Sequence, residues 1–387
     1  MVNESDDRDP SLGAEVDASQ ADSGSDAAPA ELGHVGSGTL NRRRTIIGAI
    51  VAIVFLVIVF VRVIPQVGDY QAAFDALADM TVAAVVALVV ALLIYLFIYG
   101  WPYVVASPGL SYTNSSIVNN SRFAIGNGIP GGGAFGLAVQ YAQLTFYKAT
   151  PTTATAAIGA TGVWATFVTV SLPLAGVAAL SASGQDVGNF IYVALAGLGI
   201  LLAMIIVFAL ILRSEKNAVR IGDWADRVGN KVVGRFRPGT TVAIKQQVVQ
   251  LRNDIVGLVS ARWLLITITN FGVSLGQYLI LLTALKGVAG DESDTIVPLE
   301  VFGAWAVSQI GILIPVTPGG LGTVDAVLIG LLTSVGISEG VATAGALLWR
   351  ATYYFPQIAI GVICVFIWRW QVGRAGRAPS PQGAAVT

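Results

Sequence analysis

An apolar run from about residue 299 to residue 335 is long enough to be one membrane helix, yet its middle cannot be helical. It reads Ile314-Pro315-Val316-Thr317-Pro318-Gly319-Gly320-Leu321-Gly322-Thr323-Val324-Asp325, with two prolines and three glycines inside eight residues. Proline removes a backbone donor and collides with the preceding turn. Glycine makes left-handed and extended backbone cheap. The helix must therefore break at membrane depth, where broken backbone survives only when it is buried in protein or lines a wet cavity. Two readings follow: a tight turn between two short buried helices, or one of the broken helices that build transporter binding sites.

Composition places this break in a bilayer. Of 387 residues, 55% are hydrophobic and 12% charged, against about 25% charged in a soluble domain. Several apolar runs exceed the ~20 residues that cross a membrane. The expected fold class is an all-α polytopic membrane protein with about six full spans and two broken re-entrant helical hairpins in an inverted repeat. Cys364 is the only cysteine and His34 the only histidine. Intrachain disulfides are thereby excluded, and neither a cysteine-ligated metal site nor histidine catalysis in the membrane is expected. No nucleophile–base pair or nucleotide-binding loop stands out, so the chain reads as a non-enzyme with no cofactor and no nucleic-acid partner.

Residues 1–40 are acidic, lack aromatic residues and read as a disordered tail. The membrane domain is expected over 41–370, followed by a Pro/Gly/Ala-rich tail over 371–387. Arg42, Arg43 and Arg44 precede a first span at about 45–64, which places the N-terminus on the cytoplasmic side. Further spans are expected at about 82–105, 153–180, 189–212, 263–285 and 340–370, with Trp101 and Tyr103 near an interface. Arg369, Arg374 and Arg377 put the C-terminus inside as well. The segment 213–262 carries ten Lys or Arg against Glu215, Asp223, Asp226 and Asp254. It reads as a basic cytoplasmic linker, or as a surface helix gripping anionic lipids through Ile221, Trp224, Val228 and Val232 at helical spacing.

A second break lies at Gly126-Asn127-Gly128-Ile129-Pro130-Gly131-Gly132-Gly133 inside the apolar stretch 114–148. Two units of span, broken hairpin and span emerge, over 82–181 and 263–370. Charge bias puts the Pro130 hairpin on the inner side and the Pro318 hairpin on the outer side. Inverted repeats of this kind place a substrate near the midplane, where the broken segments meet.

The chemistry-bearing residues sit at these breaks. Thr323 is a candidate N-cap and Asp325 falls in the first turn after the break, where a carboxylate suits the helix dipole. Its nearest candidate partner is Arg350, in Leu347-Leu348-Trp349-Arg350-Ala351-Thr352-Tyr353-Tyr354. The two form either a structural pair or a site at which the guanidinium meets a phosphate. Half-helix N-termini and the amides of Gly131, Gly132, Gly133, Gly319, Gly320 and Gly322 suit an anion. Arg122, Asn127, Gln140, Gln143 and Gln309 add polar groups, each of which also suits a freed backbone group. Asn270, Gln277 and Gln357 on the spans suit interhelical hydrogen bonds.

Pro318-Gly319-Gly320-Leu321-Gly322-Thr323-Val324-Asp325, followed by Leu347-Leu348-Trp349-Arg350 and Pro356, resembles the transmembrane domain of the lysylphosphatidylglycerol synthetase/flippase family. Asp325 stands where that family's pattern has Glu. The resemblance covers about 45–370 and implies movement of lipids between leaflets without the aminoacyl-transferring part. The expected partner is a membrane lipid with an anionic head group, set at the Pro130 and Pro318 hairpins with Arg350 and Asp325. The alternatives are a membrane partner of a separate glycosyltransferase or lipid-modifying enzyme, and a transporter of a small soluble anion. The expected location is the cell membrane.

Overall fold

A threonine starts the first helix whose whole length is described. The Thr81 hydroxyl accepts from the Ala84 N–H at 3.2 Å and opens α1 (Val82–Tyr99), satisfying one of the four amides a helix start leaves unpaired. The structure is a computed structural model, and it describes residue 75 and residues 78–128, 132–185, 188, 190–236, 244–313 and 320–375. The span expected at 45–64, the tail over 1–40, and Pro130, Gly131, Pro315, Pro318 and Gly319 lie outside the described residues, as does the expected C-terminal tail beyond residue 375; its first five residues, 371–375, are instead the end of a helix.

The span expected at 82–105 is divided. α1 gives way at Gly100 to α2 (Trp101–Ala106), whose start holds Pro102. A continuous helix would need the residue 102 N–H for the Ile98 carbonyl, and proline has none. The loosened carbonyls are taken up by α3 (Tyr112–Gly128). The Tyr112 hydroxyl donates to Phe97 at 2.9 Å, Asn119 to Tyr99 at 2.6 Å, and Ser115 to Gly100 at 2.5 Å. This explains why so polar a helix is buried in an apolar protein: its side chains close a neighbour's broken ladder. Tyr103, expected near an interface, is buried and its hydroxyl accepts from Thr161 at 2.8 Å.

The chain continues through α4 (Gly132–Phe146), α5 (Pro151–Ala182), α6 (Phe190–Arg213), α7 (Glu215–Phe236) and α8 (Ile244–Ala289). A 3-10 turn (Gly290–Thr295) then leads to α9 (Pro298–Ser308), a second 3-10 turn (Gln309–Leu313), α10 (Thr323–Ser334) and α11 (Glu339–Ala375). No strand occurs among the described residues. Among the described residues, five segments are long and apolar enough to cross a bilayer: Val82–Ala106, Pro151–Ala182, Leu195–Arg213, Ile244–Thr295 and Glu339–Ala375. Among the described residues of the basic segment, 215–236 and 244–262 are helical. Its second half is continuous with the span expected to start at 263, because 244–262 contains no proline and only Gly257.

Both breaks appear as helical hairpins. α3 and α4 fold against each other, with Gly136 over the Arg122 carbonyl and Gln143 donating to Ser121 at 3.0 Å. α9 and α10 close through the Thr323 hydroxyl, which donates to Gly311 at 3.0 Å. The packing is reciprocal. α3 lies along α11, where Gly361 meets the Asn120 carbonyl. α9 lies along α5, where Gly176 meets the Gly303 carbonyl. Small residues let such membrane helices approach closely. α1 and α8 run antiparallel between them, with Gly272 and Gly276 facing Ile98 and Tyr95. Trp305, Trp349, Tyr95, Leu285, Leu328 and Leu332 fill the core. Val86, Val89, Leu93 and Phe97 of α1 face outward, as lipid-facing residues should.

Candidate functional site

The site is built from the start of α10. Gly322 is its N-cap, with φ of +86°, and Gly320 has φ of +69°. Both are left-handed conformations that favour glycine. Thr323 is therefore not the cap that its sequence position suggested. The left-handed turn at Gly322 takes that place, and the Thr323 hydroxyl instead holds the carbonyls of Gly311 and Gly320, at 3.0 and 3.2 Å.

Asp325 lies in the first turn of α10 as expected. One carboxylate oxygen accepts from the Gly322 N–H at 2.9 Å. The other accepts from Arg350 Nε at 2.9 Å and lies 2.7 Å from Nη2. Both side chains are 8% exposed. Arg350 Nη1 donates to the Tyr353 hydroxyl, and the guanidinium sits 4.8 Å from the Trp349 ring centre. The Trp349 ring is itself fixed by a 3.0 Å hydrogen bond to the Gln277 carbonyl. The carboxylate is thus gripped between a helix N-terminus and a guanidinium fork, the two groups that most favour an anion.

The first hairpin reaches the same stretch of α11. The Tyr354 hydroxyl donates to the Asn127 carbonyl at 3.1 Å, and its ring meets Phe123 edge-on at 5.7 Å. Tyr353 meets Tyr95 edge-on at 6.3 Å, and Tyr95 donates to Gln357 at 2.8 Å. Residues 350–357 of α11 therefore touch the end of α3 on one side and the start of α10 on the other.

The remaining candidates divide clearly. Asn127 turns its amide to the Phe123 carbonyl, and Gln309 turns its amide to Trp305; both serve their own helix. Gln140 is fully buried beside the Tyr103 hydroxyl. Arg122 is exposed, and its backbone carbonyl is packed against Gly136 of α4. In this state Gly132 is packed on the Ile125 carbonyl and Gly320 on Val324, while Gly133 is open. Gly132 and Gly320 thus serve close packing, and the Gly322 amide already holds Asp325. Of the span amides, Gln357 makes the interhelical bond expected of it, whereas Asn270 bonds its own helix at Ile266.

Sequence reasoning missed the tyrosines. Their signal was present: Tyr95, Tyr99 and Tyr103 recur every four residues, and Arg350, Tyr353, Tyr354 and Gln357 share one helical face.

The model of the lysylphosphatidylglycerol synthase TM region matches residues 39–361, most of the chain. The chain belongs to this family. The matched stretch contains both hairpins, Asp325 and Arg350, so the site is part of the family's membrane region and not an appendage to it. No curated protein sequence matches the chain. For this member of the lysylphosphatidylglycerol synthase membrane family, Tyr95→Phe isolates one link of the site. It leaves the Gln357 acceptor buried without its donor, which is expected to cost about 1–3 kcal/mol. Equilibrium unfolding in mixed detergent micelles reads this loss, and unchanged stability would remove the Tyr95–Gln357 bond from the account.

Proposed function

We propose that the protein moves a lipid with an anionic or phosphate-bearing head group between leaflets. The observation that carries this reading is the place of Asp325. Its carboxylate fills a position between the Gly322 amide and the Arg350 fork that suits a phosphate oxygen equally well. Asp325 then acts as the resting partner of Arg350, and an incoming head group replaces it on the guanidinium. The lipid tails stay in the bilayer while the head group passes between the two hairpins. Asp325, released from Arg350, keeps its bond to Gly322 or takes a proton.

Three further features support transport over a passive pair. Both hairpins converge on 350–357 of α11, as a shared site between two broken helices would require. The reciprocal packing of α3 on α11 and of α9 on α5 fits two units of opposite sense. Membership of a family named for lysylphosphatidylglycerol chemistry fits lipid cargo. The reading makes the protein a multi-pass transporter of the cell membrane with both termini cytoplasmic, and not an enzyme.

The test is leaflet exchange in proteoliposomes holding traces of head-group-labelled phosphatidylglycerol or phosphatidylcholine. Exchange of the anionic label well above protein-free liposomes, and faster than that of the neutral label, is expected. Exchange no faster than in protein-free liposomes would overturn the proposal. If a lipid-modifying or glycosyltransferring enzyme then co-purified with the protein, the membrane-partner reading would replace it. Uptake of free inorganic phosphate without lipid exchange would point to a soluble anion instead.

A further inference from the structure

We propose that α7 lies in the plane of the membrane surface and binds anionic lipid head groups there. The argument does not depend on transport. It begins with position: α6, an apolar spanning helix, ends at Arg213, and α7 starts at Glu215, so a single residue separates them. The first turn of α7 is therefore at the membrane boundary.

The rotation of α7 is fixed by its contacts with α8. Ala218 and Gly222 are buried, and a Cβ on Gly222 would lie 2.7 Å from the Lys245 Cα. The Asp226 carboxylate accepts from the N–H groups of Ile244 and Lys245, capping the first turn of α8. Asp223 pairs with Lys245 at 2.9 Å. With that face taken, Trp224 is left 59% exposed and Val228 42% exposed, one turn apart. Lys216, Arg220 and Arg227 are exposed along the adjoining flank.

The neighbouring helix shows where water gives way to lipid. The exposed residues at the start of α8 are Gln246, Gln247, Gln250 and Asn253, whereas Trp263, Leu264, Leu265 and Ile268 are exposed farther on. The change falls between Asn253 and Trp263, and Leu212 at the end of α6 packs in one cluster with Leu251, Ile255 and Val259, so the first turns of α8, against which α7 packs, lie outside the hydrocarbon. A helix wholly in water would gain nothing from an exposed Trp224 and Val228. One in the hydrocarbon would not carry Lys216, Arg220 and Arg227. A helix at the head-group level satisfies both, with its apolar stripe inward and its basic flank against lipid phosphates.

Single-cysteine proteins in a Cys364→Ser background test this in nanodiscs. Val228→Cys carries an environment-sensitive fluorophore on the apolar stripe, and Gln247→Cys carries the same fluorophore on the polar back. In nanodiscs containing phosphatidylglycerol, the fluorophore at 228 is expected to be quenched by spin-labelled lipid and protected from acrylamide at least threefold relative to that at 247. In phosphatidylcholine alone, or with Arg220→Gln and Arg227→Gln, the protection should fall. Equal acrylamide access at 228 and 247 would place α7 in water and overturn the proposal. Protection at 228 that is the same with and without phosphatidylglycerol would overturn its anionic-lipid specificity.

Discussion

Arg350→Ala is expected to destabilise the protein by about 3–5 kcal/mol, because it leaves a buried carboxylate without its cation. Asp325 would keep only the Gly322 amide and the dipole of α10. That loss alone does not separate a working site from a structural pair, but two companion variants do. Asp325→Leu with Arg350→Met removes both charges at similar volume. It should recover most of the loss, since replacing a buried ion pair with apolar groups is often neutral; what stays missing is the cap, about 1 kcal/mol. Arg350→Lys keeps the charge but not the planar fork. If the pair receives a head group, the double variant folds and exchanges lipid at least tenfold more slowly, and Arg350→Lys falls between. A double variant that is stable and exchanges anionic lipid at the parent rate would reduce Asp325 and Arg350 to structural partners.

What could be read in advance follows from what each residue type forces. The second hairpin was legible because Pro315, Pro318 and three glycines forbid a helix whatever surrounds them. Asp325 and Arg350 were legible because charges are scarce in apolar runs and each stands out at once. The break at Gly100 was not, since a proline at position 102, near the end of an apolar run, tells nothing of the partners that stabilise an interruption. Those partners, Tyr112, Ser115 and Asn119, come from the next helix and look like loop residues. The role of Tyr103 was missed because an aromatic residue near the end of a span reads first as part of an interface belt. Charge also masked continuity in α8: hydropathy locates the bilayer, whereas helix ends are set by breakers and caps, and 244–262 has no strong breaker.

The close helix contacts carry a second large effect, and its sign changes within one helix. In an exposed helix, Gly→Ala is favourable by up to about 1 kcal/mol, and Gly373 of α11 is such a position, with nothing within 4 Å of an added Cβ. Gly361 on the same helix is the opposite case. An added Cβ would lie 2.2 Å from the Asn120 carbonyl oxygen and 2.5 Å from the Ala124 Cβ. Neither is the free end of a flexible side chain, so α11 and α3 must separate. Gly361→Ala is thus expected to cost about 3 kcal/mol, at the upper end for overpacking, while Gly373→Ala raises stability slightly. Separation of these helices also pulls Tyr354 from the Asn127 carbonyl, two turns along the same contact. Lipid exchange should therefore fall in the residual folded protein for Gly361→Ala and not for Gly373→Ala. Thermal unfolding in nanodiscs compares the two directly. If both alanines shift the midpoint in the same direction, α11 is not seated on α3 through Gly361, and the convergence of the two hairpins on residues 350–357 loses its structural basis.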